Sequence, residues 1–226
     1  MIKKLIVLLL MMLIIASSIY SQEDKNKKKY NLSYKFDLGM DLTTFIEDAA
    51  YEGQRRHYPS ISLKPEISID WDNGKSNIIF EGFGRWDLNG ESRTHWDVRE
   101  FYYQFYTGNL EFSVGLKKIF WGKTEGVHLV DVINQVDFLE GLDGEEKLGQ
   151  PMLTTSYTSN IGTFSWFLLP YSRTIDFGNA AGRPRTPQVI VADIVSFESD
   201  REEWQPTFAL RWEHCLLYTS PSPRDS

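Results

Sequence analysis

The chain has 226 residues, of which 42% are hydrophobic, 14% aromatic and 24% charged, and its formal net charge is −7. An acidic balance excludes a nucleic-acid partner, because phosphate contacts need clustered Lys and Arg. A single cysteine, Cys215, excludes a disulfide framework and a cysteine metal site.

In chain order, the first element is a secretory signal peptide at 1–21. Lys3 and Lys4 form a positive n-region, Leu5 to Ile15 is an unbroken apolar run, and Ala16, Ser17, Ser18 and Ser21 supply the small residues of a cleavage site. As a helix that run reaches only about 16 Å at about 1.5 Å per residue, short of a bilayer core of about 30 Å. Cleavage is expected after Ser21, with Ser18 the second choice. No cysteine lies near that site, so it is not a lipoprotein signal. Residues 22–31, charged from Glu23 to Lys29, read as a solvated periplasmic linker.

From Leu32 to Leu42 the period becomes two. Leu32, Tyr34, Phe36, Leu38, Met40 and Leu42 alternate with Ser33, Lys35, Asp37, Gly39 and Asp41. A strand separates these sets onto two faces, whereas a helix mixes them. The second segment repeats the pattern, with Ile61, Leu63, Pro65, Ile67, Ile69 and Trp71 against Ser62, Lys64, Glu66, Ser68 and Asp70. The third, about 77–88, sets Ile78, Phe80, Trp86 and Leu88 against Glu81, Arg85 and Asp87, with Phe83 an exception. The fourth, about 95–106, sets Phe101, Tyr103 and Phe105 against Glu100, Tyr102 and Gln104, and the fifth covers 110–116. The sixth (about 152–158) and seventh (about 163–169) alternate weakly. The eighth sets Trp204, Pro206, Phe208, Leu210 and Trp212 against Glu203, Gln205, Thr207 and Arg211. Pro65 and Pro206 each lack a ladder donor, which predicts local distortion.

Connections alternate between short and long. Asp72-Asn73-Gly74-Lys75, Thr107-Gly108-Asn109 and Ser159-Asn160-Ile161-Gly162 are tight turns. About 45–59, 89–94, 119–150 and 171–202 are longer. Short periplasmic turns and long outer loops are the rhythm of a transmembrane barrel. Soluble sandwiches also alternate, but these segments are longer than an ordinary strand, carry aromatics near their ends and keep charge on the polar face. The fold class predicted is all-β, an antiparallel transmembrane β-barrel domain over 32–214 with about eight strands visible.

Cys215 to Asp225 reads CLLYTSPSPRD and resembles the translation of a transposase-type sequencing adaptor, so 215–226 is expected to be a non-native tail and the barrel to be an N-terminal part of a longer one. Without the signal and tail the chain is more acidic and has no cysteine. Four strings carry a second resemblance: Asp97-Val98-Arg99-Glu100-Phe101-Tyr102, Gly115-Leu116-Lys117-Lys118-Ile119-Phe120-Trp121-Gly122, Val130-Asp131-Val132-Ile133-Asn134 and Lys147-Leu148-Gly149-Gln150-Pro151-Met152. Their order resembles uncharacterised porin-like outer-membrane proteins of Gram-negative bacteria, closely over about 97–170 and loosely elsewhere. The resemblance implies a barrel longer than the strands visible here, while the signal peptide and barrel pattern lead to the expectation of an outer-membrane location, contact with its lipid and insertion by the barrel-assembly machinery, and the charged inner face to passive passage of small hydrophilic solutes. The resemblance supplies no substrate, cofactor or catalytic residue.

The chemistry-bearing patterns agree. His57, His95, His128 and His214 lack metal-ligand spacing, and no nucleophile elbow, P-loop or dinucleotide fingerprint is present. The 119–150 loop is the candidate site. It carries Glu125, Asp131, Asp137, Glu140, Asp143, Glu145 and Glu146 against Lys123 and Lys147, together with an apolar stretch at 127–139 expected to be packed and helical. Folded inward it would form a constriction whose acids oppose the lumen-facing bases Lys35, Lys64, Arg85 and Arg211, giving a mild cation preference. A solvated outer loop is the competing reading, and Asp143, Glu145 and Glu146 lack EF-hand spacing for calcium. A plugged structural or adhesin-like barrel and a barrel lipid hydrolase are the alternatives to a channel.

Overall fold

The computed structural model describes residues 30–120, 133–141, 144–183, 188, 196–197 and 199–214. The expected signal peptide and the expected tail, together with Glu125, Asp131 and Asp143, lie outside them. Eight strands follow one another: β1 (Tyr30–Thr44), β2 (His57–Trp71), β3 (Ser76–Asp87), β4 (His95–Thr107), β5 (Leu110–Lys117), β6 (Gln150–Ser159), β7 (Gly162–Leu169) and β8 (Thr207–Glu213). They form one antiparallel sheet in sequence order, with β1 and β8 each paired on one side only. The fold is all-β, as the alternation predicts. Among the described residues the only helical pieces are two 3-10 turns, Glu91–Arg93 and Glu202–Trp204.

Period two becomes two continuous faces because every hairpin keeps register. One apolar row crosses the whole sheet: Leu32, Ile69, Ile78, Tyr103, Val114, Leu153, Leu168 and Phe208 are successive cross-strand partners. Side chains on this face are exposed, as at Leu38, Trp86, Trp96, Phe101 and Leu210. The opposite face carries the row Lys35, Glu66, Glu81 and Glu100. The three glutamates are spaced by lysines: Lys64 lies 3.2 Å and Lys118 2.7 Å from Glu81, and Lys35 3.7 Å from Glu66. The long connections all emerge at one end and the tight turns at the other. At the first turn Asp72 and Asn73 adopt positive φ, which short polar side chains tolerate better than other non-glycine residues.

Two strands begin elsewhere than expected. β1 starts at Tyr30, inside the expected linker, because Tyr30 and Asn31 find partners in Trp71 and Asp70. β8 starts at Thr207 rather than near Glu203, because Glu202–Trp204 closes a 3-10 turn and Pro206 cannot donate to a ladder. At Pro65 the expected distortion is present: β2 pairs with β1 throughout, but Lys64 and Pro65 have no register partner on β3.

A further irregularity was not anticipated. Glu81 pairs with Glu100 and Gly82 with Val98, so Arg99 is an extra residue on β4. Such a bulge re-aims a side chain. It puts Arg99 and Glu100 on the polar face together and restores Trp96 and Val98 to the apolar one. β6 and β7 alternate weakly for a different reason. Their polar-face positions Met152, Phe167 and Leu169 are apolar and bury against Ile133 of the long loop, with Ile119 and Ala209 at the margin. Apolar residues on both faces of a strand mark coverage on both sides.

Candidate functional site: a loop packed on the polar face

Phe83, the exception in the third segment, is the floor of the site. It faces the polar side beside Arg85, and the Arg99 and Arg85 guanidinium carbons lie 4.7 and 5.9 Å from its ring centroid. The His95 ring is 5.6 Å away. An aromatic face attracts such cations, so Phe83 gathers three basic groups from β3 and β4.

The loop between β5 and β6 brings the counter-charges. Its base is pinned by Asn134, whose Oδ1 accepts from Ile119 N at 2.8 Å while Nδ2 donates to the carbonyls of Lys117 (2.8 Å) and Leu148 (2.9 Å). Val136 and Lys147 form an isolated antiparallel bridge. The described part of the expected helical piece, 133–139, is therefore an extended arm ending in a turn, not a helix. Its backbone bonds run across to 146 and 148, with Asp137 N to Glu146 O at 2.9 Å and Leu148 N to Gln135 O at 2.8 Å. At the tip, Glu140 accepts from Arg85 Nε at 2.9 and 3.0 Å and from Nη2 at 2.7 Å. Asp137 accepts from Arg99 Nη2, and His95 Nε2 lies 3.4 Å away. These carboxylates and guanidiniums are almost wholly buried, and Arg99 is 2% exposed. Burial alone would raise the Asp137 carboxyl, but the neighbouring His95 ring and the charge of Arg99 prevail and hold it down at about 2.

A second loop covers the first. Arg173 donates to Asp97 (2.8 Å) and to the Gly149 carbonyl (3.1 Å), and Gln150 donates to Tyr171 O. Phe177 stacks on Phe138 at 5.2 Å. Further along, Gln54 donates to Gly182 O at 2.9 Å, and the Arg183 guanidinium sits 4.2 Å from the Phe45 ring centroid. The connection after β7 thus reaches the one after β1. At about 4.8 Å per strand spacing the gap between β2 and β7 would be about 24 Å across a flat sheet, and the loop bridges it over the polar face.

Of the expected constriction residues, the structure brings together Asp137, Glu140 and Arg85. Glu145 and Glu146 are exposed. Lys35, Lys64 and Arg211 lie on the polar face as expected, and the described residues give each of them a partner on the sheet. Lys35 meets Asp37 at 2.5 Å, Lys64 meets Glu81, and Arg211 meets Glu213 at 2.5 Å. For Lys35 and Arg211 that partner is two residues along the same strand, and for Lys64 it is on the neighbouring strand. The residues sequence reasoning missed are Phe83, His95, Arg99, Asn134 and Arg173. Two signals were available: an aromatic out of phase at Phe83, and adjacent charges at Arg99 and Glu100 where alternation allows one. Some residues of the four strings singled out in the sequence take part in this anchoring network. Asp97, Arg99, Asn134, Gly149 and Gln150 all belong to it, and a Cβ at Gly149 would collide with the Arg99 carbonyl. Among the described residues no group of three or more His, Cys, Asp or Glu side chains could hold a metal ion. Compared with protein-family models, curated proteins and solved structures, the chain gives no match.

Proposed function

We propose that this chain forms part of an outer-membrane β-barrel whose polar face lines a passage for small hydrophilic solutes, with the loop at 133–148 narrowing it. The observation that carries this reading is the unbroken apolar face. An exposed apolar surface crossing eight strands is far larger than a water-facing monomer carries, and lipid is the environment that accommodates it. Its height fits: from Trp71 to the Ile61–Trp86 pair is about 33 Å along the strand at about 3.3 Å per residue, or about 25 Å vertically at a tilt near 40°, the height of a barrel's apolar band. The reading includes export by the signal peptide, insertion by the barrel-assembly machinery and no catalytic role.

A structural barrel without an open pore is the second reading, favoured by one observation: the mouth end of the polar face is filled by two layers of loop, joined at Phe138 and Phe177. Single-channel recording of the reconstituted protein separates the two. Discrete conductance with a reversal potential shifted by a salt gradient is expected. Folded, membrane-inserted protein without conductance contradicts the channel and favours the structural barrel.

A further inference from the structure

We propose that Arg85, His95 and Arg99, gathered over Phe83, form a binding site for a small solute carrying two carboxylates, and that Asp137 and Glu140 are internal occupants which such a solute displaces. The proposal deepens the channel reading by naming a solute class, and rests on it for the claim that the occupant is a solute in transit.

The two loop carboxylates come from a single turn, closed by Glu140 N to the Asp137 carbonyl at 3.3 Å. They enter the wall site as one unit with two anionic ends. One end takes the Arg85 fork and the other takes Arg99 and His95. A planar fork matches a carboxylate in two contacts. The loop does not saturate the site. Among the described residues Arg99 Nη1 and His95 Nε2 are buried without a hydrogen-bond partner, and Arg99 Nη1 has only Asp97 at 3.8 Å. A buried donor without a partner is costly. A carboxylate tethered through its own backbone cannot adjust to reach both nitrogens, whereas a free one can. A solute with one carboxylate replaces one end and leaves the other loop acid in place. A solute with two replaces both, and its aliphatic spacer rests on the Phe83 ring.

The loop base is held independently of the tip's ion pairs, and besides those pairs the tip rests on the second loop through Phe138 on Phe177. Asn134 holds the base through three backbone contacts that involve neither Arg85 nor Arg99. Tip and solute therefore compete for one site. A tethered competitor acts at an effective concentration in the millimolar range, so a solute must overcome that.

The test is calorimetric titration of succinate, acetate and chloride into the folded full chain in detergent micelles, a readout that needs no conductance. In the Asp137→Asn/Glu140→Gln variant the internal competitor is gone, and succinate should bind at least tenfold tighter than in the unaltered chain, with acetate changed much less. Adding Arg85→Lys and Arg99→Lys, which keep charge but remove the fork, should abolish that gain. Equal succinate affinity with and without the loop carboxylates overturns the proposal, as does a gain that survives the two lysines or is matched by acetate. Succinate binding without conductance leaves this site standing and overturns the channel reading alone.

Discussion

The two faces of this sheet are held to their roles by different physics. The apolar face makes few demands on individual residues. Its members are large, exposed and aligned in rows, and one can replace another wherever volume and hydrophobicity are kept. The polar face is specific by position. Arg85 and Arg99 are buried with named partners, Asn134 satisfies three backbone groups, and Gly149 leaves no room for a Cβ. One face meets a solvent and the other meets a fitted loop, so substitution should be graded by depth on the first and by partner on the second.

The largest expected effect tests the fitted side. Arg99→Leu strands Asp137 as a buried carboxylate without its guanidinium, and breaking such a pair costs about 3 to 5 kcal/mol. The loop is expected to undock, read as new protease cleavage within 133–148. Arg99→Leu with Asp137→Leu removes both charges and should restore much of the protection. If the double change is as open as the single one, the pair is not what docks the loop.

Next in size is the solvent side. Leu38 stands midway along β1 opposite Leu63 and is 65% exposed. Leu38→Arg should cost about 2 to 4 kcal/mol near a bilayer midplane, measured by urea unfolding from lipid vesicles. Asp37→Arg, one residue away on the other face, should be mild. Equal penalties would contradict the division into faces.

Asn134→Ala is smaller. It leaves an amide and two carbonyls near the loop base without their partner, at about 1 to 3 kcal/mol for an unsatisfied buried group. Hydrogen exchange at Ile119 should quicken while the β2–β3 ladder keeps its protection. Uniform quickening across the sheet would argue against a local clamp.

The smallest effect is acid release of the loop. The Asp137 carboxyl is depressed from an ordinary 3.8 to about 2. A depressed acid contributes stability above its unfolded value, and that contribution is lost as pH falls through the folded one. The contribution of Asp137 to loop docking should therefore be level above pH about 4 and weaken between about 4 and 2, and Asp137→Asn should remove that acid transition. A transition centred near neutral pH would assign docking to another group.

How much of this was legible follows from the same contrast. Apolar-face positions are written into the chain by alternation alone, so Leu32 to Leu42 and Ile61 to Trp71 could be placed on strands with no tertiary knowledge. That the loop packs on something was legible as apolar residues that a solvated loop would not need, and Ile133, buried against Met152, Phe167 and Leu169, shows what one of them does. Its form was not. The 133–139 arm lacks a helix because its backbone bonds are taken up across the arm and by Asn134, which pattern alone does not reveal. Among the described residues Lys35 and Arg211 pair with acids two residues along their own strands and Lys64 with Glu81 on the next strand, pairings that alternation does not specify. Arg99 was hidden by the bulge, since a single inserted residue changes which side chains share a face.

The central claim is that the apolar face meets lipid, and accessibility scanning in bilayers tests it most directly. With Cys215 replaced by Ser, single spin labels are placed at each position from Phe36 to Asp41, and collision with oxygen is compared with collision with a water-soluble nickel complex. The account predicts a strict period of two, with oxygen favoured at Phe36, Leu38 and Met40 and the nickel complex at Asp37, Gly39 and Asp41. Even positions as open to the nickel complex as odd ones would contradict it.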